Sequence, residues 1–269
     1  MPRPDLNKMR EDAINIFRAG LQAVDPIAAV RRYVSVENGS LIIGGKTWNL
    51  SQVHNLMVVG AGKASGAMAA ALEDILGDRI TGGLVVVKYG HTVDLSHISL
   101  VEAGHPIPDE NGQAGAERIR KHMAAAGKND LVLCLISGGG SALLPSPSPG
   151  LSLADKQETI QVLLSCGATI HEINTLRKHL SQIKGGQLAL SAHPAKVVSL
   201  ILSDVVGDDL DIIASGPTVP DPGTFEDCMK ILSKYHITEK LPEAINRHLV
   251  NGAQGNIEEI GRASCRERV

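Results

Sequence analysis

Between residues 55 and 202 the chain alternates short, unbroken apolar runs with stretches whose apolar residues follow helical spacing. Strands that are buried on both faces read as continuous apolar segments, and helices between such strands are typical of a parallel sheet. We therefore predict an α/β fold, a Rossmann-like three-layer α/β/α sandwich with a mostly parallel sheet. The predicted strands lie at 55–59, 84–87, 98–101, 131–136 and 197–202.

Helical spacing of apolar residues predicts the helices of the same fold. Pro26 suits the first turn of the second helix, because proline is tolerated where no intrahelical donor is needed. Before the first long strand, residues 34–36 and 41–43 flank a Glu-Asn-Gly-Ser turn and predict a hairpin. The predicted helices lie at 5–24, 26–33, 63–76, 111–125, 154–165 and 170–190.

Composition excludes several classes of function. A formal net charge of −3 and an aromatic content of 2% give no basis for binding nucleic acid or an anionic membrane. No apolar run reaches the ~18 residues of a membrane span, and residues 1–13 lack the apolar core of a signal peptide. The four cysteines show no metal-binding spacing. We therefore expect a cytoplasmic protein that binds neither nucleic acid nor membranes.

A first glycine-rich turn, residues 58–66, follows a predicted buried strand and opens a helix. Gly60 and Gly62 would let the backbone approach a nucleotide phosphate, and the helix start offers free N–H groups to an anion. The turn fits neither the P-loop nor the dinucleotide fingerprint, since Ser65 stands where the latter needs its third glycine. Phosphate binding and a plain tight turn both remain open, and Lys63 favours an anionic ligand.

A second turn reads Ile-Ser-Gly-Gly-Gly-Ser-Ala at 136–142, again directly after a buried strand. Ordering three consecutive glycines on folding costs much conformational entropy. Packing alone gives no reason for three glycines at this position. We predict a backbone nest for phosphate. Its residues are Gly138, Gly139 and Gly140, assisted by Ser137 and Ser141.

The stretch 171–186 carries polar residues at helical spacing. On one helix, Asn174, Ser181 and either Arg177 or Lys178 would lie on neighbouring turns of one face. A ligand-binding face and a solvated basic face both fit this spacing. The two histidines of the stretch lack the spacing of zinc ligands.

Carboxylates and a histidine follow other predicted strands. Asp204 ends a buried strand, and this rim is where ligands bind in open parallel sheets. A carboxylate there could hold Mg²⁺ or accept a hydroxyl proton. Asp208 and Asp209 could assist it or cap a following helix. His105 is either a wall of the site or part of a turn.

Taken together, these motifs resemble the glycerate 2-kinase family. The matching segments are Gly-Ala-Gly-Lys-Ala at 60–64, Gly-His-Pro-Ile-Pro-Asp at 104–109, Ser-Gly-Gly-Gly-Ser-Ala-Leu at 137–143, the polar stretch at 171–186, Ser-Asp-Val-Val-Gly-Asp-Asp at 203–209 and Ile-Ala-Ser-Gly-Pro-Thr-Val-Pro-Asp at 213–221. The resemblance covers essentially all of 1–259, in the family's order. It implies ATP- and Mg²⁺-dependent phosphorylation of D-glycerate, typically at the 2-hydroxyl, to 2-phosphoglycerate.

The resemblance places Lys63 at the active site beside the loop 137–141, and on this basis we assign roles to the candidate residues. Lys63 would neutralise the transferring phosphate or the substrate carboxylate, and the loop 137–141 would donate N–H groups to phosphate. Asp204 would be the base or a Mg²⁺ ligand, with Asp208 as a second ligand. Substrate contacts would come from Asn174, Arg177, Lys184 and His105.

Family members continue into a C-terminal domain that closes the catalytic cleft. We therefore expect residues 1–259 to be the N-terminal α/β domain of a longer kinase, and to be inactive alone. Residues 260–269 show no apolar periodicity and resemble the translation of a sequencing-library adapter. We expect this tail to be foreign to the protein.

Two other functions remain open. Members of the family are often labelled hydroxypyruvate reductase, although the failed dinucleotide fingerprint argues against a reductase here. A non-enzymatic phosphosugar-binding module would use the same glycine-rich loops at strand ends. The oligomeric state is open as well, with a homodimer among the alternatives.

Overall fold

A computed structural model describes residues 5–260 of the chain. These begin with two helices and a small antiparallel sheet, in agreement with the predicted helices and hairpin. The sheet has a third strand that the sequence does not predict, because only Trp48 among its four residues is apolar. The elements are α1 (Leu6–Ala23), α2 (Pro26–Tyr33), β1 (Val34–Glu37), β2 (Ser40–Ile43) and β3 (Lys46–Asn49).

Helix α1 buries none of its side chains in the described fold. Asp5 caps it by accepting hydrogen bonds from the N–H groups of Asn7 and Lys8. Because no side chain of α1 is buried, its apolar side chains face outward, although they share one side of the helix. These are Leu6, Met9, Ile16, Phe17 and Leu21, which are 54–74% exposed.

A second sheet of five parallel strands forms the centre of the molecule. Its spatial order is β6-β5-β4-β7-β8, so the chain builds outward from β4 in one direction and then in the other. This order confirms the predicted Rossmann-like α/β fold. The strands are β4 (Leu56–Ala61), β5 (Gly82–Lys88), β6 (Ser99–Ala103), β7 (Leu131–Ser137) and β8 (Lys196–Leu202).

Helices cover both faces of this sheet and form the predicted outer layers. Val58 packs on the side of α2 and α3, and its neighbour Val59 packs on the side of α4. The strands read as unbroken apolar runs because both layers are apolar, so neither side of a strand faces water. The helices from here on are α3 (Ser65–Leu76), α4 (Glu110–Ala125), α5 (Gly140–Leu143), α6 (Leu153–Ser165), α7 (Ile170–His179), α8 (Gln187–Ser191), α9 (Phe225–Tyr235) and α10 (Glu243–Ala253).

A third apolar cluster joins α6, α7, α9 and α10 around the buried Phe225. Helix α9 begins with a capping box in which Thr224 and Asp227 bond each other's backbone N–H groups. The sequence analysis made no prediction for α9 or α10. None of the helices in residues 5–260 is long and apolar enough to cross a membrane.

The prediction of one helix over 170–190 is wrong. Helix α7 ends at His179, and α8 begins only at Gln187. Gly185 and Gly186 between them have φ values of +60° and +85°, a left-handed conformation that glycine tolerates and that ends regular helix. Ser181 and Lys184 therefore lie on an irregular segment, not on the helical face of Asn174.

Of the predicted foreign tail, 260–269, only Ile260 belongs to the described residues, and 261–269 lie outside them. The division of the chain at residue 259 stays a prediction.

Candidate active site

Two glycine-rich loops meet at the centre of the sheet, because β4 and β7 are neighbours and run in the same direction. This is the switch point of the strand order, where ligands bind in such folds. The backbone N–H of Lys63 donates to the Gly138 carbonyl at 2.9 Å. The Ser137 hydroxyl accepts the Ala64 N–H at 3.1 Å and lies 2.9 Å from the Ser65 hydroxyl. Ser137 is buried and locks the two loops together.

Gly60 and Gly62 allow this close approach. A Cβ on Gly60 would overlap the carbonyl oxygen of Leu135, and one on Gly62 would lie 2.7 Å from the carbonyl oxygen of Ser137. Both glycines therefore have a packing role between β4 and β7. Direct phosphate contacts from Gly60, Gly62 and Ser137 stay predictions.

The second loop has the geometry of an anion nest. Gly139 is left-handed, with φ +87° and ψ −6°. The backbone N–H groups of Gly139, Gly140 and Ser141 donate to no acceptor among residues 5–260. Successive unpaired N–H groups in such a turn form a concave anion site. These three groups could bind phosphate oxygens.

Three charged or titratable side chains surround the nest. A Cβ on Gly139 would lie 2.8 Å from His105 Cδ2 and 3.4 Å from Lys63 Cε. A Cβ on Gly138 would lie 2.7 Å from Asp204 Cγ. Lys63 and Asp204 are exposed, and His105 is half-buried. The fold thus brings together residues that follow β4, β6, β7 and β8.

Burial lowers the pKa of His105, and the positive charges of Lys63 and Lys88 lower it further against the opposing charge of Asp204. The imidazole is therefore neutral near pH 7 and has one ring nitrogen that can accept a hydrogen bond. Lys88, at the carboxyl end of β5, is a neighbour that the sequence analysis did not select. Its position at the end of a parallel strand was the available signal.

A hydrogen-bonded network joins three of the four predicted substrate residues, Asn174, Arg177 and Lys184, behind the nest. Lys184 Nζ donates to the Ser141 carbonyl at 2.9 Å and to its hydroxyl at 3.1 Å. The Ser141 hydroxyl lies 3.0 Å from that of Ser215, which donates to Asn174 Oδ1 at 3.0 Å. Arg177 reaches the same oxygen at 3.5 Å. The sequence analysis missed Ser215, whose motif carries no pattern that singles it out.

Lys178 does not belong to this hydrogen-bonded network. Its ammonium group donates to Asp211 at 3.0 Å and to Asp221 at 3.2 Å, and it is buried there. This pairing ties α7 to the segment that follows β8. Of the two alternatives in the sequence, Arg177 is the one that joins the Asn174 network.

Asp208 and Asp209 lie in an irregular segment, and neither side chain caps the short 3-10 helix Ile213–Ser215 that follows it. Asp208 is exposed and has φ +54°. No group of three or more metal-ligating side chains occurs in residues 5–260. Asp204 is an exposed carboxylate at the rim, and Mg²⁺ is often held by one or two carboxylates together with substrate phosphates. The oxygen donors of Asp204 fit such an ion.

Gly139→Ala tests the nest. The new Cβ would collide with His105, and the left-handed backbone adds about 1–2 kcal/mol of strain. We expect ATP to stabilise the parent against thermal unfolding and to stabilise the variant much less. Gly150→Ala is the matched control: its φ is +83°, yet nothing lies within 4 Å of its Cβ. Equal stabilisation by ATP in both variants would mean that the loop is only a turn.

Residues 12–250 match a family described as "Domain of unknown function (DUF4147)". The chain is 46% identical over 251 residues to "Glycerate 2-kinase" of Pyrococcus horikoshii, covering 93% of this chain and 56% of that protein. It is 41% identical over 266 residues to "D-glycerate 2-kinase" of Thermotoga maritima, covering 95% and 60%. A protein of Agrobacterium vitis, provisionally named hydroxypyruvate reductase, is 53% identical over 238 residues, covering 88% and 50%.

Two solved structures are similar in fold. A crystal structure of a Pyrococcus horikoshii protein has a TM-score of 0.85 at 45% identity, covering 96% of this chain and 58% of that one. A crystal structure of glycerate kinase from Thermotoga maritima has a TM-score of 0.79 at 40% identity, covering 95% and 56%. The chain thus spans about half the length of the curated relatives that it matches.

Proposed function

The chain belongs to the DUF4147 family, together with its glycerate 2-kinase relatives, and from this premise we propose that it serves the ATP-dependent phosphorylation of D-glycerate. The acceptor is the 2-hydroxyl and the product is 2-phosphoglycerate. The observation that carries this proposal is the nest of Gly139, Gly140 and Ser141, bordered by Lys63, His105 and Asp204.

Phosphoryl transfer depends chiefly on positioning and on stabilising charge, and the site has groups for both. The N–H groups of the nest hold phosphate oxygens, and Lys63 neutralises charge on the transferring phosphate. Asn174, Arg177 and Lys184 orient the substrate, and the neutral His105 accepts a hydrogen bond from it.

Asp204 is proposed as the base that accepts the hydroxyl proton, or as a ligand of Mg²⁺ together with Asp208. The same exposed oxygens of Asp204 serve either role. When bound, Mg²⁺ would neutralise negative charge on the phosphates. Replacing Asp204 with asparagine keeps an oxygen ligand and removes the base, so it separates the two roles.

The first turn argues against a dinucleotide-dependent reductase. The N–H groups of Lys63 and Ala64 are already bonded to the second loop, so they are not available to a pyrophosphate. Strand β5 ends at Lys88, where a dinucleotide fold places an acid for the ribose.

The test is ADP release with D-glycerate, measured beside NADH oxidation with hydroxypyruvate. Because the chain spans about half the length of its relatives, both assays are run on this chain and on residues 1–259 joined to the remaining part of the Thermotoga maritima relative. Phosphorus NMR of the product separates the 2-phosphate from the 3-phosphate. NADH oxidation without ADP release would support a reductase. Ligand binding with neither reaction would support a phosphosugar-binding module.

We also propose a cytoplasmic homodimer that uses the outward apolar side of α1. Phe17→Asp would place a charge in that contact, and we expect it to shift the protein from dimer to monomer in sedimentation velocity. Glu11→Lys is the control, since helical spacing puts Glu11 on the opposite side of α1. A monomeric parent across a wide range of concentrations would contradict this proposal.

A further inference from the structure

Three cationic side chains lie together behind the nest, on α6, α7 and the segment after α7. Lys156 Nζ donates to the Leu180 carbonyl at 2.8 Å, Lys184 to Ser141, and Arg177 to Asn174. Within residues 5–260 none of the three forms an ion pair. Lys178, next to Arg177 in the chain, contrasts with them, because it pairs with two carboxylates.

Lys156 and Lys184 are buried, and Arg177 is half-buried. Lys156 is 7% exposed and Lys184 is 3% exposed. Burial lowers the pKa of Lys156 to about 7, with a further contribution from the charge of Arg177. Burial also lowers the pKa of Lys184 well below its usual range, and the charges of Lys156 and Arg177 add to this. Cations buried without an anion cost stability, which a bound anion would recover.

We infer that Lys156, Arg177 and Lys184 form a subsite for one oxyanion, a carboxylate or a phosphate group. Ser141 connects the subsite to the nest, since its N–H belongs to the nest while its carbonyl and hydroxyl hold Lys184. An anion in the subsite would thus sit beside the phosphate in the nest. This inference rests on the proposed function. It adds to that function the chemical group of the ligand, a carboxylate or a phosphate, that the subsite holds.

The direction of the pH effect follows from the surroundings of Lys156. The groups that face it are Arg177 from α7, Lys184 from the segment after α7, and His248 from α10. Burial is the main cause that lowers the pKa of His248, so this imidazole stays neutral above pH 7. Above about pH 7 the free amine of Lys156 is neutral, and a bound anion favours its ammonium form. Binding should therefore take up a proton from solvent, and affinity should fall as pH rises above about 7.

The experiment is isothermal titration calorimetry on the 269-residue chain near pH 8, in two buffers that differ in ionisation enthalpy. The probes are inorganic phosphate, D-glycerate and ADP, each alone. We expect proton uptake with at least one probe. Uptake with D-glycerate alone identifies a carboxylate in the subsite, and uptake with phosphate or ADP identifies a phosphate group.

Two variants decide the role of Lys156. Lys156→Gln keeps a donor for the Leu180 carbonyl but has no charge. We expect it to bind roughly tenfold or more weakly and to take up less proton than the parent, since Lys184 remains. Lys156→Arg keeps a permanent charge, so it should bind the anion with less proton uptake and a weaker pH dependence than the parent. Lys128→Gln is the control, because Lys128 is exposed near the opposite end of β7.

Unchanged affinity and proton uptake in Lys156→Gln would overturn the inference and leave Lys156 as a structural donor to the end of α7. Absence of binding by all three probes would also overturn it. Proton-coupled binding that depends on Lys156, in a protein that never phosphorylates D-glycerate, would support the subsite and contradict the proposed function instead.

Discussion

Replacing Lys63 with methionine is expected to lower the rate of D-glycerate-dependent ADP release by roughly 10²–10³-fold, because we propose that its charge stabilises the transferring phosphate. The free energy of unfolding should change by no more than about 0.5 kcal/mol, since the side chain is exposed. Its backbone bonds to Gly138 and His91 do not involve the ammonium group. Steady-state kinetics and urea unfolding of the same preparation provide the two values.

Lys46→Met is the matched control, because Lys46 is an exposed lysine on β3, outside the central sheet. We expect parental kinetics from it. The rate is measured on residues 1–259 joined to the remaining part of the relative, as in the assay for the proposed function. Parental turnover in Lys63→Met would remove Lys63 from the mechanism.

Gly60→Ala is expected to cost about 3 kcal/mol or more in the free energy of unfolding. The added Cβ would overlap the carbonyl oxygen of Leu135 and would lie 2.8 Å from its carbonyl carbon. Backbone atoms of β7 cannot move aside without breaking the central strand pair. A loss of this size is a large part of the roughly 5–15 kcal/mol that stabilises a typical protein. Urea unfolding monitored by circular dichroism measures it.

Gly20→Ala is the control for that experiment. Nothing lies within 4 Å of a Cβ at Gly20, which sits inside α1, so this variant should be neutral or gain up to about 1 kcal/mol. If Gly60→Ala is as stable as the parent but loses protection by ATP, Gly60 contacts the nucleotide and the packing role described for it is wrong.

Local sequence pattern was sufficient for the five strands of the central sheet and for the glycine loops. Residues 131–136 read as one apolar run because Leu133 and Leu135 enter one layer while Cys134 and Ile136 enter the other. The triple glycine was recognisable because few residues other than glycine adopt the left-handed backbone seen at Gly139.

The end of α7 shows where local pattern fails. Apolar residues continue at helical spacing through Leu180, Ile183 and Leu188, and all three are buried in apolar clusters. Leu180 nevertheless caps the end of α7, Ile183 lies on the irregular segment, and Leu188 lies in α8. The irregular segment is held by partners elsewhere in the chain, such as the Ser146 carbonyl that accepts the Gln182 N–H. Periodicity does not reveal such partners.

The order of apolar, polar and glycine residues along the chain determines the parallel α/β fold and the loops at its strand ends. This order is sufficient because the burial of a strand face depends on each residue and its near neighbours, and so does the formation of a left-handed turn. Which polar side chains contact one another is decided by the tertiary structure alone. Asn174 meets Ser215 across 41 residues, and Lys184 meets Ser141 across 43. Such contacts depend on how whole elements pack, so no local pattern specifies that Ser137 locks two loops or that Lys156 lies buried beside Arg177.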